Sequence, residues 1–64
     1  MGKLEEAFYV VDAIDGDYAN LLLLDGPNGE VADDEVCPVA RFLLPEAIEE
    51  GSQLVRHYFE YTLL

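Results

Sequence analysis

Residues 7–24, AFYVVDAIDGDYANLLLL, decide the fold of this chain. Aromatic and β-branched side chains dominate residues 7–14, and both kinds favour a pleated, partly buried strand. Asp15-Gly16-Asp17 follows directly. An Asp-Gly pair between two apolar runs is a strong hairpin signal, because glycine adopts a positive φ without a steric penalty. The stretch therefore predicts two antiparallel strands, at residues 7–14 and 18–24, joined by a tight turn.

The second of these strands has apolar side chains on both faces. Successive side chains of a strand point to opposite sides of a sheet. Ala19, Leu21 and Leu23 therefore share one face, which we expect to lie on the core. Leu22 and Leu24 lie on the other face and are candidates for a second interface.

The middle of the chain is predicted to be mostly loop. Residues 25–35, DGPNGEVADDE, combine two glycines, a proline and five acids. This is loop composition, with a tight turn at Asn28-Gly29. Residues 36–39 are predicted to form a short strand. Pro38 places that strand at a sheet edge or in a bulge, because proline has no N–H to donate to a strand ladder.

Residues 41–53, RFLLPEAIEEGSQ, carry the signals of one short helical turn near residues 45–50. Pro45 suits the first position of such a turn, Glu46 favours its positive end, and Gly51 is a suitable terminating residue. Apolar residues surround the turn, so we expect the segment to cover the open end of the sheet. Those apolar residues are Leu43, Leu44 and Ile48.

Residues 54–64, LVRHYFEYTLL, are predicted to form one long last strand. One face carries Val55, His57, Phe59 and Tyr61, and the other carries Leu54, Arg56, Tyr58 and Glu60. A chain of this size buries only a small core, so we expect part of this apolar surface to meet another protein chain. The candidate interaction residues are Leu22, Leu24, Tyr58, Phe59 and Tyr61.

Together these elements predict an all-β fold. The expected architecture is a small antiparallel SH3-like or OB-like barrel or meander of four to five strands, with one short helical turn. The sequence contains no internal repeat and no linker, so residues 1–64 are predicted to be one domain.

The charge of the chain limits its partners. Fourteen acids against three bases give a formal net charge of −11. Nucleic-acid binding needs several Lys or Arg side chains to neutralise phosphates, so no nucleic-acid partner is expected, and anionic membranes are disfavoured likewise. The longest leucine run, residues 21–24, is too short to cross a bilayer. Residues 1–6 carry two acids and do not resemble an export signal, so we expect a cytoplasmic protein.

Two blocks of the sequence resemble a family of short bacterial and archaeal proteins known as DUF3006, a domain of unknown function. Residues 11–21, VDAIDGDYANL, are similar to that family's strand, Asp/Glu-Gly-Asp turn and strand with Tyr or Phe after the turn. Residues 39–54, VARFLLPEAIEEGSQL, are similar to its Val-Pro-Arg, two leucines, Pro-Glu, an apolar residue, Glu-Gly-Asp and last strand.

The resemblance covers somewhat under half of the chain. Ala40 stands where the family usually has proline, Ser52 stands where it usually has Asp, and the residues from His57 onward run past its common end. The resemblance implies a small β-barrel-like sheet. It implies no assigned activity and no catalytic residue.

Groups for catalysis are few. A nucleophile, a base and an orienting group are conceivable in Cys37, His57 and Asp12, but nothing in their spacing brings them together. A lone buried thiol and an ordinary strand histidine are the simpler interpretation. One Cys and one His do not complete a tetrahedral zinc site within one chain. We therefore expect neither enzymatic activity nor a cofactor.

The acidic loop is a candidate for a divalent-cation site. Calcium takes about six to eight oxygen ligands, and the loop has six side chains that carry oxygen, although their spacing matches no EF-hand loop. A solvated acidic loop is the simpler interpretation. The candidate ligands are Asp25, Asn28, Glu30, Asp33, Asp34 and Glu35.

These observations predict a non-enzymatic protein-interaction module, which binds a copy of itself or another protein through exposed apolar strand surface. The small size favours association, since the single cysteine allows no disulfide within the chain. One alternative is an accessory domain that regulates or escorts a neighbouring hydrolase and is steered to a basic patch by its acidic charge. The other is divalent-cation binding by the loop at residues 25–35.

Overall fold

The computed structural model describes residues 6–64. The prediction that the start of the chain is not an export signal concerns mainly the first five residues, which lie outside the described range. The strands are β1 (Glu6–Asp15), β2 (Tyr18–Leu24), β3 (Val31–Ala40), β4 (Gln53–His57) and β5 (Glu60–Leu63), with a 3-10 turn at Arg41–Leu43. All the strands pair antiparallel in one sheet, so the predicted all-β fold is confirmed. None of the described residues belongs to a helix with the length and hydropathy needed to span a membrane.

The first hairpin forms as predicted. Ile14 pairs with Ala19 and Asp15 with Tyr18, which leaves Gly16-Asp17 as a two-residue loop. Gly16 has a φ of 61°, the conformation that favours glycine. The register of β1 against β2 shifts at Asp12, a bulge of the kind that bends a strand.

The sheet has the strand order β3-β2-β1-β4-β5, so β3 and β5 are its edges and the barrel is not closed. One face, which we call the core face, holds the core. Leu44 and Ile48 cover it, as predicted, but Leu43 is 53% exposed and does not. Ala19 and Leu21 of β2 lie in the core as predicted, and Leu23 packs against it. The buried members are Tyr9, Val11, Ala19, Leu21, Leu44, Ile48 and Leu54.

The opposite face, which we call the outer face, carries a second apolar row. Phe8 lies between its cross-strand partners Leu24 and Val55. Leu24 is only 6% exposed, because it has Phe8 on one side and Val31 on the other. The prediction that Leu24 is open to a partner is therefore wrong, whereas Leu22 is partly exposed.

β3 is longer than the sequence predicts. It runs over Val31–Ala40, so the predicted loop at residues 25–35 is wrong from Val31 onward, and residues 36–39 are only the last part of the strand. Pairing with β2 satisfies the backbone while most side chains, including the acids, stay in water. β3 is an edge strand, which confirms the position predicted from Pro38.

The helical turn lies earlier than predicted. It occupies Arg41–Leu43, and residues 45–50 contain no helix. Proline disfavours helical geometry in the residue before it. Leu44, which precedes Pro45, accordingly has an extended φ of −115° and ψ of 159°.

Residues 45–50 form turns instead, and hydrogen bonds around them explain why. The N–H of Glu49 donates to Ser52 Oγ at 2.9 Å. Gly51 donates its N–H to the Val11 carbonyl at 2.9 Å, and Val11 donates to the Ser52 carbonyl at 2.8 Å. The segment is thereby tied to β1 beside its bulge, and these backbone groups are not free for a helix.

The C-terminal residues form a hairpin, not the one long strand predicted. His57 pairs with Glu60, so Tyr58-Phe59 make a two-residue loop between β4 and β5. Gly, Pro, Asn and Asp are the usual markers of such a turn. None of them occurs here, so the sequence carries no signal of the reversal.

The reversal also changes which side chains share a face. Tyr61 pairs with Arg56 and Leu63 pairs with Leu54. Tyr61 and Leu63 therefore lie on the core face, and both pack against the core. The prediction that Tyr61 shares a face with Val55 is wrong.

Candidate interaction surface

The two most exposed large apolar side chains of residues 6–64 flank one groove. Phe59 is 94% exposed and Phe42 is 88% exposed. Leu43 and Tyr58, each more than half exposed, lie beside them, and Tyr61 also lines the groove. Its volume is about 680 Å³. We call this surface the aromatic groove.

One wall of the aromatic groove is set by the chain around the 3-10 turn. Leu44 is buried in the core and donates its N–H to the Arg41 carbonyl at 2.9 Å. Arg41 in turn donates its N–H to the Asp17 carbonyl at 2.8 Å. Because both ends of the turn are held, Phe42 and Leu43 between them are displayed to solvent.

The other wall is the tip of the β4–β5 hairpin. Tyr58 has a φ of 60°, where a bulky side chain is a genuine outlier. Such a backbone conformation costs about 1–3 kcal/mol and persists where the surroundings impose it, often at functional sites. Two-residue loops with positive φ only at the first central residue prefer glycine there. The tip therefore displays Tyr58 and Phe59 in spite of local strain.

The rim of the aromatic groove carries little charge. Its ionisable side chains, apart from tyrosine, are His57 and Glu60. His57 Nε2 lies 2.7 Å from a carboxylate oxygen of Glu6, its cross-strand neighbour, a contact that is an ion pair when the imidazole is protonated. Both side chains are 40% exposed or more, so the contact contributes about 0–1 kcal/mol. The groove thus carries one carboxylate, that of Glu60, in a strongly acidic chain.

Aromatic side chains of β1 and β5 contact each other on the core face. The rings of Tyr9 and Tyr61 lie 6.2 Å apart, and the Arg56 guanidinium carbon is 5.8 Å from the centre of the Tyr9 ring. Burial raises the pKa of Tyr9; the Arg56 charge opposes that rise, and Tyr61 and Cys37 add to it. Arg56 Nε is enclosed without a hydrogen-bond partner among residues 6–64. The Arg56 guanidinium therefore lies against the Tyr9 ring with its Nε unpaired among these residues.

The sequence-predicted interaction residues are only partly brought together. Tyr58, Phe59 and Tyr61 line the aromatic groove, whereas Leu22 and Leu24 lie on the outer face of β2. Phe42 and Leu43 complete the groove and were not predicted. The proline two residues after Leu43 indicates that the turn is short, but no sequence signal shows that Leu44 enters the core while Phe42 and Leu43 stay outside it.

The candidate cation ligands do not converge. Among residues 6–64 no group of three or more His, Cys, Asp or Glu side chains is placed to hold a metal ion. Asp25 Oδ1 accepts the N–H of Glu30 at 3.1 Å, and Asp33 Oδ1 accepts the N–H of Glu35 at 3.0 Å. These carboxylates stabilise the backbone around the start of β3. The other candidates, Asn28, Glu30, Asp34 and Glu35, are exposed.

The conceivable catalytic set is not assembled either. Cys37 pairs with Leu21 and so lies on the core face at the β3 edge, where it is exposed and not buried as expected. His57 pairs with Glu6 on the outer face. Cross-strand neighbours share a face, so the Cys37 thiol and the His57 imidazole lie on opposite sides of the sheet.

Comparison of the chain with family models, curated proteins and solved structures found no match. The resemblance to DUF3006 therefore stays a prediction from the sequence.

Proposed function

We propose that this chain is a protein-interaction module that associates with a second copy of itself through the aromatic groove. The observation that carries the proposal is the exposure of Phe42 and Phe59 on opposite walls of one groove. Aromatic residues are enriched at protein interfaces, and large exposed apolar patches mark association sites. An accessory role beside a hydrolase stays a prediction from the sequence.

The apolar area of the groove is adequate for a small interface. A standard interface buries about 800 Å² on each partner. Each aromatic side chain contributes about 150–250 Å² when fully buried. Phe42, Tyr58 and Phe59 therefore supply most of the required area, and Leu43 and the strand beside them supply the remainder.

The distribution of charge is compatible with self-association. The net charge of −11 opposes association of two copies, but the groove itself carries only Glu60 and His57. Repulsion between distant acids is screened beyond a Debye length of about 8 Å at physiological salt. Association through this groove is thus expected to strengthen as salt rises, the opposite of association through ion pairs.

Sedimentation velocity over a range from about 1 to 200 µM, suited to micromolar affinity, tests the proposal. The full chain should approach twice the mass of a single chain as concentration rises, more readily in 0.5 M than in 0.05 M salt. Phe59→Ser and Phe42→Ser should each weaken association about tenfold or more, because each removes a central apolar contact.

Val36→Ser is the matched control. Val36 is also an exposed apolar residue, but it lies on β3, away from the aromatic groove. It should leave association unchanged. A single-chain mass at every concentration, or an equal loss in the control, would overturn the proposal.

A further inference from the structure

We propose that the second copy docks by adding its own β5 to β5 of the first, antiparallel, with a two-fold axis at Thr62. This inference rests on the proposed self-association and specifies its geometry. The result is one sheet that continues across two chains, with the aromatic groove of each copy beside the new junction.

The two edges of the sheet differ in how they resist such an addition. β3 carries Asp33, Asp34 and Glu35 together with Pro38, and its pairing with β2 is broken by register shifts. Charges, proline, bulges and a very short strand are devices by which natural sheets protect an edge. β5, Glu60–Leu63, is four residues long and has one charge, but it has no proline and no break in its pairing with β4. Of the two edges that residues 6–64 form, β5 is therefore the less protected.

The backbone of β5 has groups that point away from β4. The N–H of Leu64 donates to the Gln53 carbonyl at 3.0 Å. In an antiparallel pair, residues whose backbone groups face the partner alternate with residues whose groups face away. Leu64, Thr62 and Glu60 therefore face β4, and the N–H and C=O groups of Tyr61 and Leu63 face outward.

These outward groups determine the register. With the axis at Thr62, Tyr61 lies opposite Leu63 of the second copy, and each such pair exchanges both of its backbone hydrogen bonds. Thr62 faces its own counterpart across the axis, and Thr–Thr pairs are favourable cross-strand neighbours. The two Glu60 residues are four positions apart along the paired strands, which at about 3.4 Å per residue is about 14 Å, beyond the Debye length of about 8 Å.

The aromatic groove continues this contact. Tyr61 lines the groove and packs against the core face. A strand added beside Tyr61 in the same sheet borders the groove on that face. In this register Leu63 of the second copy lies beside Tyr61 and Leu64 lies beside Glu60, so the end of the added strand reaches the groove that Phe42 and Phe59 line.

Cysteine cross-linking tests the two-fold axis. In a Cys37→Ser background, Thr62→Cys places two thiols opposite each other, at a Cα separation of about 4.5 Å that suits a disulfide. With oxidised glutathione as the oxidant, cross-linking is expected to be about tenfold or more faster than for Val31→Cys in the same background. Val31 is the control because it is also exposed at an edge strand on the outer face. Equal rates would overturn the edge pairing.

Thr62→Lys separates this inference from the proposed function. Thr62 is exposed, so the single chain should tolerate lysine, while the pair brings two like charges together and should weaken association about tenfold or more. If Phe59→Ser abolishes association but Thr62→Lys does not, and Thr62→Cys fails to cross-link, the edge pairing is wrong and the groove proposal stands. If the full chain never associates, both are wrong.

Discussion

The two hairpin tips of this molecule share a positive φ at the same loop position but not a sequence. Each is a two-residue loop whose first central residue has a positive φ, 61° at Gly16 and 60° at Tyr58. A Cβ at Gly16 would meet nothing within 4 Å, so the backbone conformation, not space, accounts for glycine there. Tyr58 has nearly the same φ with a bulky side chain. The residues of the first tip thus suit its backbone without strain. The second tip retains strain while it displays two aromatic side chains.

Gly16→Tyr should have the largest effect, because it places a bulky side chain at a positive φ in the first tip, as Tyr58 does in the second. We expect the free energy of unfolding to fall by about 2 kcal/mol. Urea unfolding, at concentrations where the chain is monomeric, measures it. Since the space around Gly16 is open, an unchanged stability would mean that positive φ carries no penalty in these loops.

Tyr58→Gly should have the opposite sign. Relief of the strained φ exceeds the entropy that glycine loses on folding, so the free energy of unfolding should rise by about 1 kcal/mol. Tyr58→Ala is the matched control, because alanine removes the ring but keeps the Cβ that is penalised at positive φ, so it should bring no gain in stability. Both variants should also weaken self-association. A loss of stability in both would show that Tyr58 makes contacts worth more than its strain.

Phe59→Ser sharpens the comparison further. Phe59 is almost fully exposed, so the free energy of unfolding of the single chain should change by less than about 0.5 kcal/mol. The same urea experiment measures this change. A loss several times larger would mean that Phe59 packs within its own chain, and its role in association would have to be reconsidered.

Tyr9 gives the smallest effect, which is confined to alkaline pH. Its pKa in the folded chain is raised above 10.0, mainly by burial. A raised pKa stabilises the protonated folded form, so this contribution is present below pH 10 and is lost as pH rises through the folded pKa. Tyr9→Phe should make the fall in stability above pH 10 less steep. An identical pH profile would show that Tyr9 does not titrate differently on folding.

The contrast between the tips also explains which parts of the fold the sequence predicts. The Gly16 hairpin, the core face of β2 and the edge position of Pro38 follow from residue types whose local preference agrees with the tertiary structure. The Tyr58 turn was missed because no turn residue marks it. The start of β3 was missed because acidic residues suit a loop, and only pairing with β2 makes them a strand.

The candidate surface is predictable to a similar extent. Tyr58, Phe59 and Tyr61 stood out as surplus aromatic residues in a small chain. Leu24 was misassigned because its cover comes from Phe8 and Val31 on two other strands, which local sequence does not reveal. Phe42 lines the same groove as the hairpin because the fold places the 3-10 turn beside it, and local sequence does not show this.

The most direct measurement is a concentration series of amide ¹H–¹⁵N correlation spectra of the full chain. As concentration rises, the amide signals of Phe42, Leu43 and residues 58–63 should move, and those of residues 31–36 on β3 should stay in place. Shifts centred on residues 31–36, or no concentration dependence at all, would contradict self-association through the aromatic groove and β5.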